Sequence, residues 1–404
     1  MTEVVERTGS RIGILLAATI AIAIAGSHFH VIGAMVRPFG DAYGWSRGDV
    51  TFALTIYSIV LPITNIAIGW LADRFPVRAI ALPGIFGFSL GLALLGLAGP
   101  SLWSWYAAYF AFAILSAGAS AIIWTKLVVL NFSRHRGLAL AASLSGAGIL
   151  VSTMPTIVLF LREAFGLRGV YPALAASSLI LMFVPAWFFL PRSNKQGNAP
   201  ASAKRTGDSE LQYIVGSPRL WRLGIALFLV ASCIGTFIAH FQPMLTDAGL
   251  SGAEAARVAL LIGPAMIVGR LGTGLLFDVL PTRAVAAAAF SLPALACLWL
   301  WQFPLDVGSA SILAVLIGVG MGSEVDVVAY LSSRYFPQRN YGLVFGILIS
   351  IYGAAVGISA WLVGSIYDAY GSYDPALLAL VAGVVVAIGL VISMGRPPPR
   401  EDLT

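Results

Sequence analysis

Twelve apolar runs, each about 20 residues long, follow one another along the chain and are separated by short polar segments. The runs lack the strict alternation of apolar and polar positions that marks a strand with one wet face. About 20 apolar residues in helical conformation span the hydrocarbon core of a bilayer. The pattern therefore predicts an all-α membrane protein with twelve transmembrane helices. The approximate bounds of these spans are 11–36, 48–72, 79–99, 102–130, 137–161, 170–190, 220–245, 253–277, 284–304, 308–333, 342–366 and 374–394.

Composition agrees with a membrane protein. Of the 404 residues, 59% are apolar and 10% are charged, and the mean hydropathy is +0.89, whereas a soluble domain carries roughly 25% charged residues. Apolar surface of this extent is favourable in lipid when the backbone groups bond internally, as in helices. Cys233 and Cys297 both fall in apolar runs. They lack the spacing of metal ligands, so we expect no metal site, no disulfide framework and no cofactor.

An eleven-residue phrase occurs twice, as GWLADRFPVRA at 69–79 and as GLLFDVLPTRA at 274–284. The copies are identical at six positions and lie 205 residues apart. The same offset relates two Ser-x-x-acid segments that begin at Ser46 and Ser251. Each segment predicts a capping box at the start of an apolar helix. The chain is therefore expected to be a duplicated unit.

The duplication predicts two pseudo-symmetric bundles of six helices. We expect an N-terminal bundle at 1–191, a cytoplasmic linker at 192–218 and a C-terminal bundle at 219–404, because the linker region is polar and lacks periodicity. Duplicated bundles of this kind pack around a site near the bilayer midplane, as in secondary transporters. Since one chain supplies both bundles, we expect it to function as a monomer.

Basic residues predict the orientation. If the N-terminus is cytoplasmic, the inside segments hold seventeen Lys and Arg residues and the outside segments hold five. This positive-inside bias predicts a multi-pass protein of the plasma membrane, which we take to be a bacterial inner membrane, with both termini in the cytoplasm. The net charge of +6 then reflects topology and anionic lipid, and we expect no nucleic-acid partner.

The repeated phrase resembles a loop pattern of the major facilitator superfamily, Gly-x-Leu-x-Asp-Arg-x-Gly-Arg. In that family the loop latches the inner ends of helices and controls the switch between outward-facing and inward-facing states. The resemblance implies the same role here, whereas the alternative is that these are ordinary charges at helix ends. The gating residues implied by the two copies are Gly69, Asp73, Arg74, Arg78, Gly274, Asp278 and Arg283.

Two further phrases resemble monocarboxylate porters and their bacterial relatives within that superfamily. One is Asp41-x-x-Gly-Trp45, at the end of the first span, and the other runs from Phe132 to Ala139 at the start of the fifth. This resemblance implies a carboxylate substrate. It also implies a binding role for Arg270, because the related porters carry an arginine at the corresponding place in the eighth helix.

Four charged residues lie well inside the apolar runs, at Lys126, Arg270, Glu324 and Asp326. A charge near the bilayer centre is costly and needs a partner, water or a function. At 1.5 Å of rise per residue, the first three lie about 12–15 Å from the inner ends of their helices, near the midplane. The sequence therefore predicts a polar chamber shared by the fourth, eighth and tenth spans.

Arg270 is the first candidate for substrate contact, because a guanidinium grips a carboxylate with two parallel hydrogen bonds. The alternative is a structural ion pair with Glu324 or Asp326. These two acids are two residues apart and point about 200° away from each other on a helix, so they cannot both face one chamber. We expect one to pair with Arg270 or to carry a proton, with Glu324 the first choice for the proton, and the other to brace a neighbouring helix. A desolvated carboxyl suits proton coupling.

Five other residues are candidate substrate contacts at or near the expected level of the chamber. For each of them the alternative is ordinary helix packing. Asn65 is included because it is the repeat partner of Arg270, and one of the two neighbouring histidines of the first span is included because it can face the chamber. These five residues are His240, Lys126, Asn65, Tyr352 and His30.

These observations predict a secondary active transporter that moves a small organic anion, a monocarboxylate, by alternating access coupled to protons. The alternative is a proton-driven exporter of amphipathic compounds or drugs on the same fold, which the buried charges disfavour. An intramembrane enzyme or a transporter-like receptor is a third class. No HExxH, GxSxG or phosphate-binding loop is present, so we expect no enzymatic activity. The residues leave open whether transport is by symport, antiport or uniport.

Overall fold

The computed structural model describes residues 2–132, 136–191, 214–336 and 341–395, and these residues form helices and turns with no strand among them. A short 3-10 segment, Ser116–Ala119, connects α5 to α6. The helices are α1 Thr2–Ala25, α2 Ser27–Tyr43, α3 Arg47–Arg74, α4 Val77–Leu97, α5 Leu102–Leu115, α6 Ala121–Asn131, α7 Arg136–Phe189, α8 Pro218–Asp247, α9 Gly252–Ala259, α10 Ile262–Val279, α11 Thr282–Gln302, α12 Val307–Tyr335, α13 Tyr341–Tyr370 and α14 Asp374–Ser393.

Within the described residues, these helices make up twelve spans. Ten helical stretches are long and apolar enough to cross a membrane, and one of them, Ala142–Phe189, has 48 residues. A straight helix of that length would measure about 70 Å, but Gly166 leaves helical conformation with φ 70° and ψ 176°. The stretch therefore supplies two spans, and α3 supplies the twelfth. The predicted fold class is confirmed.

Three of the predicted spans are broken rather than straight. The first consists of α1 and α2, the fourth of α5 and α6, and the eighth of α9 and α10. Conversely, the polar stretch predicted between the fifth and sixth spans, 162–169, is helical except at Gly166. The stretch contains two glycines, Gly166 and Gly169, and of these Gly166 is the one that leaves helical conformation.

Two ends of the bundle can be named from the connections. The linker end carries Pro191 and Ile214, the described residues on either side of the predicted linker. It also carries the α3–α4 connection at Phe75. The far end carries the α2–α3 turn at Gly44 and the α8–α9 turn at Gly249. The predicted linker, 192–218, lies outside the described residues as far as 213.

The largest buried apolar clusters follow the two halves of the repeat. One cluster runs from Ile14 to Leu190 and adds Ala239 and Ala360, and the other runs from Ile214 to Met394 and adds Val151. Each half therefore has its own core, which a duplicated unit requires.

Both predicted capping boxes are present. The Ser46 hydroxyl accepts from the Asp49 N–H at 3.1 Å, and the Asp49 carboxylate accepts from the Ser46 N–H at 3.2 Å. The Ser251 hydroxyl accepts from the Glu254 N–H at 3.3 Å, and the Glu254 carboxylate accepts from the Ser251 N–H at 2.8 Å. The same device therefore starts the second span of each half.

The two halves are joined along α3 and α13. The Thr51 hydroxyl donates to the Ala360 carbonyl at 2.9 Å, and the Thr55 hydroxyl donates to the Gly357 carbonyl at 2.7 Å. All four residues lie on the parts of these helices nearer the far end. Side-chain hydroxyls that bond across to a backbone carbonyl let two membrane helices approach closely.

Glycines show how the contact between α3 and α13 varies along their length. A Cβ added at Gly364 would lie 2.8 Å from the Gly48 nitrogen, so the backbones touch near the far end. Nearer the linker end, a Cβ at Gly346 or Gly353 would meet nothing within 4 Å among the described atoms. The helices are therefore packed tightly at the far end, whereas these two glycines of α13 have no close neighbour among the described atoms.

Other contacts between the halves lie in the far half of the bundle or near its middle. A Cβ at Gly33 of α2 would collide with the Ile238 carbonyl of α8. A Cβ at Gly263 of α10 would collide with the Gly148 carbonyl of α7, and the Gly263 N–H donates to the Ser152 hydroxyl at 2.9 Å. These small residues allow three pairs of helices to meet across the two halves.

Candidate functional site

Arg270 of α10 forms an ion pair with Asp326 of α12. The Arg270 Nε atom lies 3.3 Å from the Asp326 Oδ2 atom, and the two side chains are 19% and 32% exposed. The ion pair that the sequence left as an alternative is therefore present, with Asp326 as the partner. Both side chains are therefore partly exposed rather than enclosed in the packed core.

Close packing of α10 against α12 brings these charges together. A Cβ at Gly322 would collide with the Met266 carbonyl and lie 3.0 Å from the Arg270 nitrogen. Beside them, the buried Thr273 hydroxyl donates to the Ser323 hydroxyl at 2.8 Å. Because only small side chains separate the backbones here, Arg270 and the acidic segment of α12 lie at the same level.

Glu324 occupies a different environment from Asp326, as their angular separation predicts. Its side chain is fully buried, and both carboxyl oxygens lack a hydrogen-bond donor among the described residues. It interacts electrostatically with Cys233 of α8 and Tyr352 of α13. A charged carboxylate in this position would be desolvated without compensation, which is costly in a low-dielectric interior.

Tyr352 connects the two acidic environments. It lies close enough to both Glu324 and Arg270 to be affected by their charges, and the residue is partly exposed. Three helices of the C-terminal half, α10, α12 and α13, thus converge on one polar group. We call this group the charged cluster; it consists of Arg270, Glu324, Asp326 and Tyr352.

His240 lies apart from the charged cluster. It is fully buried in α8, where its Nε2 atom lies 2.7 Å from the Ala360 carbonyl and its Nδ1 atom lies 3.3 Å from the Tyr373 hydroxyl. A neutral ring that donates from Nε2 to the carbonyl accepts at Nδ1 from the hydroxyl. Its polar atoms are therefore engaged in bonds between α8, α13 and the start of α14.

The structure describes some of the surroundings of Lys126, Asn65 and His30. The Lys126 ammonium donates to the Ala72 carbonyl at 2.6 Å, in the last turn of α3. Asn65 is partly buried, and its Oδ1 atom has no donor among the described residues. His30 lines a small cavity of about 30 Å³ together with Met321. The midplane level predicted for Lys126 therefore does not bring its ammonium to Arg270.

The repeated phrase makes the same contact in both halves. Arg78 donates to the Trp187 carbonyl at 3.0 Å and to the Leu190 carbonyl at 2.8 Å, while Arg283 donates to the Ile392 carbonyl at 3.4 Å. Trp187 and Ile392 are again 205 residues apart. Each arginine thus binds the carbonyl end of the last helix of its own half.

The structure describes the surroundings of the remaining gating residues only in part. A Cβ at Gly274 would meet nothing within 4 Å among the described atoms. Gly69 lies within α3, and the side chains of Asp73, Arg74 and Asp278 lie outside the described part of the chain. The latch role of the phrase stays a prediction.

A second polar network, which the sequence reasoning missed, joins the halves at the far end. Arg47 of α3 forms an ion pair with Asp247 of α8, with Nη2 2.7 Å from Oδ2. Its guanidinium also donates to the Tyr373 hydroxyl and lies 3.7 Å above the centre of the Tyr367 ring. The Tyr373 hydroxyl in turn contacts His240. One arginine of the N-terminal half therefore binds three residues of the C-terminal half.

Asp368 completes this network at the start of α3. Its two carboxylate oxygens accept from the Arg47 N–H at 3.0 Å and from the Gly48 N–H at 2.8 Å. A carboxylate is favourable at a helix N-terminus, where unpaired N–H groups carry partial positive charge. We call Arg47, Asp247, Asp368 and Tyr373 the far-end lock. Arg47 is one of only five basic residues on the predicted outside, and this departure from the charge bias was the signal available in the sequence.

Comparison with known proteins agrees with this fold. The sequence profile of the Major Facilitator Superfamily matches residues 14–348. Monocarboxylate transporter 10 of Danio rerio is 26% identical over 302 residues, which are 72% of this chain and 58% of that protein. The probable nitrate/nitrite antiporter NarK1 of Thermus thermophilus is 26% identical over 395 residues, covering 86% of this chain and 83% of that protein.

A solved structure supports the architecture. The crystal structure of a D-xylose-proton symporter superposes with a TM-score of 0.75 at 14% identity, covering 94% of this chain and 97% of that one. At this identity the likeness concerns the fold alone. Together with the profile match and the duplicated six-helix halves, it identifies the chain as a member of the major facilitator superfamily of transporters.

Proposed function

We propose that this protein is a secondary active transporter that carries a small organic anion, a monocarboxylate, together with a proton by alternating access. The observation that carries the proposal is the charged cluster. It combines a partly accessible arginine, a carboxylate partner and a second carboxyl that lacks a donor within the described residues.

Arg270 is suited to hold the anion. A guanidinium remains charged in the membrane interior and binds a carboxylate through two parallel hydrogen bonds. Its contact with Asp326 is a single ion pair through Nε, so an incoming carboxylate competes for the same guanidinium. Exchange of one carboxylate for another keeps the cation paired throughout, which limits the cost of binding.

Glu324 is suited to carry the proton. In its buried position a negative charge would be uncompensated, and a bound proton removes that cost. Entry of an anion near Arg270 adds negative charge to the neighbourhood that Tyr352 shares with Glu324. Proton binding and anion binding then favour each other, which is the thermodynamic basis of coupling.

The contacts between the halves support an alternating-access cycle. The far-end lock and the α3–α13 packing close one end, while Gly346 and Gly353, towards the other, have no close neighbour among the described atoms. If the basic residues give the orientation, the far end faces outside, both termini lie in the cytoplasm of a bacterial cell, and this state is open inwards. The halves 1–191 and 219–404 would rock against each other as a monomer, with the repeated loops latching the inner end in the opposite state.

Two relatives support an anionic substrate. Their names denote a monocarboxylate transporter and a nitrate/nitrite antiporter. Carboxylate and nitrate are both small planar anions with oxygen acceptors, which match the donor geometry of a guanidinium. The charged cluster favours such anions over amphipathic compounds as the substrate, because binding of an amphipathic compound does not require a paired arginine.

The test is uptake by purified protein in proteoliposomes, with an inside pH of about 8 and an outside pH of about 6. Labelled lactate, pyruvate and benzoate are compared with succinate and with an amphipathic dye. We expect saturable uptake of one or more monocarboxylates, lost on addition of a protonophore, with protein-free liposomes correcting for passive entry of the neutral acids. Proton-driven movement of the dye alone would favour the exporter alternative. Monocarboxylate uptake that does not depend on the pH gradient would contradict the proposed coupling to protons.

A further inference from the structure

A cavity of about 230 Å³ opens at the far end between the two halves. It lies between α2, the first arm of α7, α8 and the start of α9. Its charged lining consists of Arg37, Asp41 and Arg162, and its uncharged polar lining includes Gln242 and Thr246. The cavity reaches the surface, because the Arg37 side chain is half exposed and Asp41 is exposed.

The cationic side chains of this cavity are only weakly compensated. The Arg37 Nε atom lies 3.9 Å from Asp247, but that carboxylate binds Arg47 much more closely, at 2.7 Å. The described contacts give Arg162 no ion pair. Asp41 is the single acid of the described lining. Two guanidinium groups therefore face one lining carboxylate, and the field in the cavity favours an anion.

Gln242 supplies an uncharged donor at the same place. Its Nε2 atom is buried and has no acceptor among the described residues. A buried donor without an acceptor is costly, and a bound carboxylate oxygen would satisfy it. Thr246 has no donor to offer, because its hydroxyl already bonds to the Gln242 and Pro243 carbonyls. The donors available to a ligand are thus two guanidinium groups and one amide.

Gln242 also lines a second cavity that lies deeper in the protein. The smaller cavity of about 30 Å³ shares Pro155 and Gln242 with the far-end cavity. It reaches His30 and also Met321, which lies one turn before Glu324 on α12. The unpaired amide therefore lies at the boundary between the surface cavity and the side of the bundle that leads to the charged cluster.

We propose that the far-end cavity is an anion-binding entry site, where Arg37, Arg162 and Gln242 hold a carboxylate before it reaches Arg270. This inference rests on the proposed function and adds a second, outer site to it. It also accounts for two arginines on the predicted outside, where the charge bias disfavours them.

The charge of the cavity is tested with a cysteine reporter. Ala34 lines the cavity, and both native cysteines are fully buried, so Ala34→Cys supplies the reactive thiol. The ratio of its reaction rates with an anionic and a cationic methanethiosulfonate reagent measures the local potential. We expect Arg37→Gln or Arg162→Gln to lower this ratio roughly fivefold. Arg168→Gln is the matched control, because Arg168 lies outside this lining and contacts Tyr43. An unchanged ratio in both test variants overturns the proposal.

Occupancy is tested with the same reporter and two carboxylate probes. Pyruvate or benzoate should slow the modification of Ala34→Cys several-fold relative to an equal concentration of chloride, and Gln242→Leu should remove this protection. Leu159→Cys, also in the lining, serves if the first reporter does not fold. Absence of protection by both probes overturns the binding site even if the ratio responds to the arginines. Protection of the reporter in protein with Arg270 intact that transports no anion would sustain this site while the proposed function fails.

Discussion

The N-terminal half fills the middle of its fourth span with a 3-10 turn and aromatic packing, whereas the C-terminal half places two carboxyls at the matching point of its tenth span. Ala119 and Ala121 are the repeat partners of Glu324 and Asp326, and Ala119 ends the turn. Nearby, the Phe112 ring lies 5.3 Å from that of Tyr57. The tenth span, α12, continues as one helix through both acids.

The contacts that the halves share are of another kind. Both halves have a capping box at the start of the second span, and both use the repeated arginine to bind the carbonyl end of the last helix. These devices stabilise helix ends and do not require a ligand. The comparison separates a duplicated scaffold from chemistry that is present in one half, and it singles out the charged cluster as the part to test.

The largest predicted effect concerns proton coupling in the C-terminal half. Glu324→Gln keeps the shape of the side chain but cannot take up or release a proton. With one proton per anion, a pH difference of one unit supports about tenfold accumulation, and we expect the variant to fall to about onefold while anion exchange continues. The measurement is steady-state accumulation in proteoliposomes.

Glu163→Gln is the control for this experiment, because Glu163 is an exposed carboxyl at the far end. It should leave accumulation unchanged. Tenfold accumulation by Glu324→Gln would exclude Glu324 as the proton carrier and would direct attention to Asp326.

The next effect concerns the far-end lock, where the two halves meet. Arg47→Gln removes the ion pair with Asp247 and the contact above Tyr367. If these contacts stabilise the state with a closed far end by roughly 1 kcal/mol, their loss shifts the ratio of open to closed far ends about fivefold towards the open state. Spin labels at Ser101→Cys and Gln302→Cys, one in each half, report the shift as a larger long-distance population.

Arg168→Gln is again the matched control, since its contact with Tyr43 stays within the N-terminal half. Equal distance distributions in Arg47→Gln and in the unaltered protein would show that the network does not hold the far end closed.

The smallest effect concerns the scaffold that both halves share. Ser46→Ala and Ser251→Ala each remove one capping bond from a helix start, which costs about 1 kcal/mol. Because the motif is duplicated, both variants should lower the unfolding midpoint by similar amounts while anion transport is retained. A large loss of transport from only one of them would contradict the view that these caps are structural.

Much of the fold follows from local sequence. Apolar length predicts the spans, and the Ser-x-x-acid segments predict the two capping boxes because both depend on residues close together in the chain. The connection predicted at 162–169 is shorter than a loop of that length, because helical residues continue up to the break at Gly166 and resume after it. Gly166, which leaves helical conformation, is the residue of this stretch that acts as a turn signal.

The site was predictable in part. Depth along the helices predicts that Arg270 and the two acids share a level, and the 200° separation predicts that the acids differ in environment. The choice of Asp326 as the partner depends on how α12 is rotated against α10, which the contact at Gly322 determines. The far-end lock joins residues 200 to 326 positions apart, and no local pattern connects them.

Two other candidates, Lys126 and His240, make contacts that the sequence does not reveal. Lys126 is level with the chamber by counting, but its ammonium reaches the Ala72 carbonyl. His240 is held by Ala360 and Tyr373. A side chain several bonds long can leave the level of its own Cα, so counting residues locates backbone and not charge. Their proposed substrate contacts therefore depend on movement during the cycle.

The most direct test of the account is ligand-induced thermal stabilisation of the purified protein, measured at two pH values with a panel of monocarboxylates, dicarboxylates and aromatic acids. The unaltered protein is compared with Arg270→Gln and with Asn65→Ala, its counterpart in the other half. We predict that one class of monocarboxylate raises the unfolding midpoint by roughly 3 °C at saturation, that Asn65→Ala retains most of this shift, and that Arg270→Gln loses it. Equal stabilisation of Arg270→Gln would contradict the assignment of the anion site to the C-terminal half.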